Sequence, residues 1–133
     1  MKTTKFVLFF ALSVLITSCA NTAKFPVSVS VPAADITAQK KQDKNNNFTI
    51  EVTAKNLADA QRLNPPRNNY SVWIVTEDGI IKNIGQLSNR NARTAVLKAV
   101  TPFNFREIFV TAENQGDLTF PSGTEISRTR FKK

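Results

Sequence analysis

The chain of 133 residues contains no histidine and a single cysteine, Cys19. Ser-His-Asp and Cys-His catalysis both need a histidine beside the nucleophile, so both are excluded. A lone cysteine cannot form a disulfide within the chain. The four glycines form no phosphate-binding loop. Because these constellations are missing, we expect a protein that is not an enzyme, has no catalytic residues and needs no cofactor.

The chain begins with a segment that is typical of an export signal. Lys2 and Lys5 precede an apolar run from Phe6 to Ile16 that only Ser13 interrupts. A basic start, about 7–15 apolar residues and small residues before the cut describe a secretory signal. A membrane-spanning helix needs about 20 apolar residues, which is more than this run supplies.

The segment ends in Leu15-Ile16-Thr17-Ser18-Cys19, which resembles the lipobox of bacterial lipoproteins. The resemblance implies that the sulfur of Cys19 carries a diacylglycerol (palmitate being one such acyl chain) and that residues 1–18 are removed as the signal peptide. Two or three acyl chains hold a protein on a membrane far more firmly than one. Ala20 follows the cysteine, and in Gram-negative lipoproteins a residue other than Asp there implies the outer membrane, with the protein facing the periplasm. We expect Cys19 and the tether to occupy residues 19–24, and one domain to occupy residues 25–133.

The protein is basic, with a formal charge of +8 that falls to +6 once Lys2 and Lys5 leave with the signal. In an exported protein we expect no nucleic-acid partner. The expected partners are the membrane through the lipid anchor and an envelope protein or an anionic envelope component. The alternative is that the cations only keep a small domain soluble.

The rest of the chain has the alternation of short β-strands. Phe48, Ile50, Val52 and Ala54 face one way and the polar residues between them the other. Asp78-Gly79 predicts a hairpin turn. The predicted strands are 25–32, 35–43, 48–55, 70–76, 80–87, 93–100, 105–113 and 124–131. Seven or eight short strands without a long helix predict an all-β, immunoglobulin-like β-sandwich of antiparallel strands.

Part of this pattern is similar to a known family. Residues 69–79 (Asn-Tyr-Ser-Val-Trp-Ile-Val-Thr-Glu-Asp-Gly) and Gly85-Gln86-Leu87 resemble the core of the extracytoplasmic domain of anti-sigma-K factors of the RskA type. Thr111-Ala112-Glu113 and Pro121-Ser122-Gly123 echo that family's later strand and turn. The resemblance covers about residues 70–131 and implies an immunoglobulin-like sandwich. It does not imply sigma-factor binding, because that activity belongs to a separate cytoplasmic domain that has no counterpart in this sequence.

Several residues are candidates for partner contacts. Arg62, Arg67 and Tyr70 flank the Pro65-Pro66 connection, and long connections often carry function. The same candidate set includes the basic stripe Arg128, Arg130 and Lys132, which alternation puts on one strand face with Phe131 on the other.

Other residues receive structural expectations. We expect Trp73 in the sandwich core, Phe103, Phe105 and Phe120 at the surface, and Lys40, Lys41 and Lys44 at a solvated hairpin tip. Glu77-Asp78 is the one adjacent acidic pair and lies in the predicted turn, so no metal site is expected.

Two functions remain open. The first is a membrane-tethered binding or interaction module that contacts its partner through loops and a basic face. The second is a structural envelope lipoprotein without a discrete ligand. A small carboxylate-dependent hydrolase is a distant third, because it would need two opposed carboxylates in a cleft.

Overall fold

The computed structural model describes residues 20–132, and in this range the chain is built almost wholly from antiparallel strands. The nine strands of this range are β1 (Asn21–Lys24), β2 (Asp35–Gln42), β3 (Phe48–Lys55), β4 (Asn69–Thr76), β5 (Ile81–Gln86), β6 (Ser88–Asn89), β7 (Thr94–Thr101), β8 (Phe105–Glu113) and β9 (Thr124–Arg130). Residues 20–132 include no helix with the length and apolar character that crossing a bilayer requires.

The strands form two sheets with the orders β1-β2-β3-β7-β6 and β5-β4-β8-β9. With β2, β3, β7 and β6 taken as strands A, B, E and D, and the second sheet as C′, C, F and G, this is the order of an immunoglobulin-like sandwich. The predicted all-β sandwich is therefore confirmed. The strand count exceeds the expected seven or eight because β1 and the two-residue β6 are additional.

The core lies between the inner faces of the two sheets. Strand β3 buries Ile50, Val52 and Ala54, as its alternation predicts, and β4 faces them with Val72 and Ile74. A β-bulge lies beside Gly85, because the β4–β5 register shifts between Val72 and Trp73.

The prediction of a strand at residues 25–32 was wrong. This segment is irregular: Val29 is 99% exposed, whereas Ser28 is buried. The Ser28 hydroxyl accepts the backbone N–H groups of Ser30 and Val31 at 3.2 and 3.3 Å. Proline cannot donate to a strand ladder, and Pro26 and Pro32 bracket the segment, so this local turn replaces strand pairing.

The sandwich also begins earlier than predicted. Residues 21–24 form β1, which pairs with β2, and Ala23 contributes to the core. Thr129 of β9 donates its hydroxyl to the Lys24 carbonyl at 3.0 Å, so β1 joins the edges of both sheets. The expected tether is therefore part of the fold from Asn21 onward, and Cys19 lies outside the described residues.

Candidate functional site

The loops of the sandwich divide between two ends. The proximal end consists of residue 20, which precedes β1, with residues 43–47, 77–80, 102–104 and 131–132. The distal end consists of residues 25–34, 56–68, 87–93 and 114–123. Two long connections lie at the distal end: residues 56–68 join the two sheets, and residues 114–123 join β8 to β9. They correspond to the B–C and F–G loops, which bind antigen in immunoglobulin variable domains.

The distal loop 56–68 is held from beneath by Tyr70. This residue is only 6% exposed, and its hydroxyl donates to the Ala58 carbonyl at 2.6 Å. Burial, with a smaller contribution from the nearby Asp59 carboxylate, raises the pKa of Tyr70 to about 12. Tyr70 therefore stabilises the loop from inside and offers little surface to a partner.

The loop contains a single 3₁₀ turn at Ala60–Arg62. The Asp59 carboxylate caps this turn by accepting the Gln61 N–H at 3.1 Å. The Arg67 N–H returns to the Ala60 carbonyl at 2.9 Å. These bonds fix the backbone on both sides of Arg62.

Arg62 is exposed and lies between two cavities of the distal end. One, of about 350 Å³, also includes Ser30 and Thr124 in its wall, and the other, of about 370 Å³, includes Tyr70. Val29 precedes Ser30 and is almost fully exposed. Arg67 is half-buried, so Arg62 is the more accessible of the two predicted arginines. The distal end thus presents an exposed arginine on a fixed backbone and an exposed valine.

The second distal loop, 114–123, is fixed by a buried carboxylate. Glu113 ends β8 and has no exposed surface. Its Oε1 accepts the Thr111 hydroxyl at 3.0 Å and the N–H groups of Ser122 and Gly123 at 2.9 Å each. A side chain larger than glycine at 123 does not fit, because its Cβ would lie 1.8 Å from the Ala112 carbonyl oxygen. The Thr-x-Glu and Pro-x-Gly motifs are therefore one hydrogen-bonded unit.

This loop covers Trp73, which lies on the outer face of its sheet. Trp73 is fully buried, but its neighbours Val72 and Ile74 point into the core, so the indole points the other way. Asn83, its partner on β5, donates to the carbonyls of Gly116 and Leu118, both at 3.0 Å. The expected burial of Trp73 is therefore confirmed, but the indole lies outside the cluster between the sheets, because a loop that alternation does not reveal supplies a second buried layer.

The basic stripe is largely engaged in ion pairs. Arg128 contacts the carboxylates of Glu107 at 2.6 Å and Glu125, and its guanidinium lies 3.9 Å from the Phe109 ring centre. Burial alone lowers the pKa of Arg128, but the hydrogen bonds that its guanidinium donates to the two carboxylates, with their negative charge, outweigh burial and raise the pKa. Arg130 lies 3.5 Å from Glu107. Arg128 is therefore the less available of the two, because the side chain of Arg130 is still 77% exposed.

The remaining predicted residues divide between surface and core. Lys132 is exposed at the proximal end, and Phe131 is buried, as alternation predicts. Phe103 and Phe120 are exposed at opposite ends, but Phe105 is fully buried, which corrects its predicted exposure.

The expectation that Lys40 lies at a solvated hairpin tip was wrong. It is half-buried, with its ammonium 4.7 Å from the Phe48 ring centre and 4.4 Å from that of Phe105. The ammonium also donates to the Asn104 side-chain oxygen at 2.8 Å and to the Phe105 carbonyl. Burial is the main cause that lowers the pKa of Lys40. Lys40 therefore closes the proximal end of the core.

A cleft of about 470 Å³ at the proximal end contains the carboxylates of Glu77 and Glu107. Glu77 accepts the Asn104 amide at 2.8 Å, and Glu107 is ion-paired with Arg128. Within residues 20–132, no three His, Cys, Asp or Glu side chains are grouped as metal ligands would be. The two carboxylates of the cleft thus have structural partners.

Comparison with known proteins adds no relative: no family model, no curated protein and no solved structure matches this chain.

Proposed function

We propose that this protein is a non-enzymatic lipoprotein of the bacterial envelope that acts as a tethered binding module. In this proposal Cys19 is acylated, the domain faces the periplasm from the outer membrane, and the distal end contacts an envelope protein or an anionic envelope component. The resemblance to the outer domain of anti-sigma-K factors stays a proposal of kinship in fold and carries no activity.

The observation that carries this proposal is the position of Arg62 and Val29. Both are exposed at the end of the sandwich opposite the start of β1, and β1 begins two residues after Cys19. Arginine is enriched among the side chains that supply most of the free energy of protein contacts, and the exposed surface of Val29 is apolar area that a partner could bury. The acyl anchor would leave this end accessible.

The charge of Arg62 favours an acidic partner. The salt bridges within residues 20–132 involve Arg128 and Arg130, so Arg62 has no carboxylate partner in the described part of the chain. Contact through a surface cation weakens as salt screens it, with a Debye length of about 8 Å at physiological ionic strength.

The test is recovery of partners from crosslinked envelopes with the acylated full-length protein, at low and high salt. The variants are Arg62→Gln and Val29→Asp, with Lys98→Gln on the outer face of β7 as a control that removes the same charge elsewhere. A binding module predicts a defined component that is recovered with wild type and Lys98→Gln but is reduced in both distal variants.

The competing function, a structural lipoprotein without a discrete ligand, predicts a different result. In that case the distal variants and the control recover the same envelope components in the same amounts. If recovery of envelope components requires only the acylated Cys19 and is the same in the distal variants, the binding module is rejected.

A further inference from the structure

The first strand begins almost at the predicted lipid anchor. Asn21 opens β1 and pairs with Lys40, and its side chain donates to the Lys132 carbonyl at 2.8 Å. Two residues span at most about 7 Å even when fully extended. A lipid on Cys19 would therefore hold the proximal end against the membrane surface.

The proximal end presents apolar side chains on two neighbouring loops. Ile80 and Phe103 are 51% and 44% exposed. The loops are joined because the Asn104 amide donates to Glu77 at 2.8 Å, and the Glu77 N–H donates to the Asn104 carbonyl at 3.3 Å. The ammonium of Lys82 lies 4.4 Å from the centre of the Phe103 ring. An aromatic ring with a lysine beside it is typical of side chains at the boundary between headgroups and acyl chains.

Several cations lie at the same end of the sandwich as this apolar pair. Lys41, Lys44, Arg106 and Lys132 are exposed at or beside the proximal loops, and none forms a salt bridge within residues 20–132. The acids of the proximal loops are Asp43, Glu77 and Asp78. Asp43 accepts hydrogen bonds from the N–H groups of Asn45 and Asn47 at 2.8 and 3.0 Å, Glu77 accepts one from Asn104, and Asp78 is exposed. The cations therefore remain available to anionic headgroups, which attract basic residues close to the surface.

Lys40 makes this end a fixed platform. It connects β2 to the 102–104 loop through its hydrogen bonds to Asn104 and Phe105. These bonds hold the base of the loop that carries Phe103.

We propose that the proximal end is a membrane-contacting surface, in which Ile80 and Phe103 enter the headgroup region and Lys44, Lys82, Arg106 and Lys132 bind anionic headgroups. The proposal rests on the acylation of Cys19 that the proposed function includes. It adds a fixed orientation: the sandwich stands on its proximal end and holds its distal loops away from the bilayer.

The test uses thiol labelling of the acylated full-length protein, because a thioether at Cys19 leaves an introduced cysteine as the one free thiol. The variants Phe103→Cys and Ile80→Cys report on the proximal end, and Phe120→Cys and Val29→Cys are matched distal controls. Each carries an environment-sensitive fluorophore and is reconstituted into vesicles of phosphatidylcholine with phosphatidylglycerol that contain a spin-labelled quenching lipid. We expect several-fold stronger quenching at positions 103 and 80 than at positions 120 and 29.

A second arm tests the headgroup contact. Lys44→Gln, Arg106→Gln and Lys132→Gln together are expected to reduce quenching at position 103, as are vesicles without phosphatidylglycerol. The distal set Arg62→Gln, Arg90→Gln and Arg93→Gln removes the same charge and is expected to leave quenching unchanged. The emission of Trp73 checks that each variant is folded.

Two failures can be told apart. If Cys19 itself takes the label, the protein is not acylated there, and the anchor and this orientation are both wrong. If Cys19 is blocked but quenching is equal at the two ends, or stronger at the distal end, the anchor stands and the orientation is overturned.

Discussion

The indole N–H of Trp73 donates to the Thr111 hydroxyl oxygen at 2.8 Å, on the outer face of the sheet. The Thr111 hydroxyl in turn donates a hydrogen bond to the Glu113 carboxylate, which accepts hydrogen bonds from the backbone N–H groups of Ser122 and Gly123. The single tryptophan of the chain is therefore connected through two side chains to the distal loop that covers it. Changes in this loop should be visible in tryptophan emission.

Thr111→Val tests the first bond of this connection. Valine has nearly the shape of threonine but cannot accept the indole hydrogen, so a buried N–H loses its partner. Such a loss costs about 1–3 kcal/mol, and we expect the free energy of unfolding to fall by that amount. Chemical denaturation followed by Trp73 emission measures it. Thr111→Ser, which keeps the hydroxyl, is the control, and an equal loss in Ser and Val would show that packing of the methyl group matters instead.

Replacing Glu113 tests whether the carboxylate holds the loop closed. Glu113→Ala leaves the N–H groups of Ser122 and Gly123 without their acceptor, and we expect a loss of about 3 kcal/mol together with red-shifted Trp73 emission. Glu113→Gln keeps an acceptor oxygen and should lose markedly less. Acrylamide quenching reports access to the indole. If it is as low in Glu113→Ala as in wild type, the loop is closed by other contacts.

The pH dependence of Tyr70 has a defined sign. Its pKa is raised to about 12 in the folded protein and lies near 10 in an unfolded chain, so between these values the folded state keeps a proton that the unfolded state has lost. The stabilisation is complete below about pH 10 and disappears as the pH rises through 12. Because Tyr70 is the only tyrosine, phenolate absorbance gives its pKa directly.

Tyr70→Phe is the control for this alkaline transition. It removes both the titrating group and the bond to the Ala58 carbonyl, so we expect a loss of about 1 kcal/mol at neutral pH and no extra loss between pH 10 and 12. A tyrosine that titrates near pH 10 in the folded protein would contradict the buried hydrogen bond.

The contributions of the Lys40 charge and of its aliphatic stem to stability can be measured separately with two substitutions. Lys40→Ala removes both from the end of the core, and we expect a loss of about 2 kcal/mol, since a desolvated cation–π contact contributes up to about that much. Lys40→Met keeps an apolar stem against Phe48 and Phe105 and avoids burying a charge, so its loss should be smaller. Thermal unfolding at pH 7 measures both, and equal losses would assign the whole effect to the ammonium.

Strand positions were predictable wherever burial on one face alone decides them. Strand β3 has the predicted bounds, 48–55, because its apolar residues recur with the period of a pleated strand. Strand β8 also has its predicted bounds, 105–113, although both of its faces are buried. Residues 25–32 have the same period, yet they form no strand, since Pro26 and Pro32 remove N–H donors and Ser28 offers a competing turn.

The candidate contact residues were only partly predictable, because exposure depends on what the rest of the chain covers. Arg62 was predicted and is exposed, but Tyr70 beside it is buried under its own loop. Val29 was missed, although the prolines that flank its segment are the signal that it leaves the sheet. Glu113 was also missed, and its signal is an acid at the end of an apolar strand with Ser122-Gly123 in the following loop.

The sequence by itself determined that this chain makes a sandwich of short antiparallel strands, because a two-residue period and turn residues are local properties. It also carries the lipobox-like segment whose acylation remains a prediction. Only the tertiary structure decided that Trp73 faces outward beneath a loop, that Arg128 is neutralised by two carboxylates, and that Lys40 seals one end of the core. Each depends on contacts between segments that are distant in sequence. The alternation of one strand does not indicate which residues of other segments pack against it.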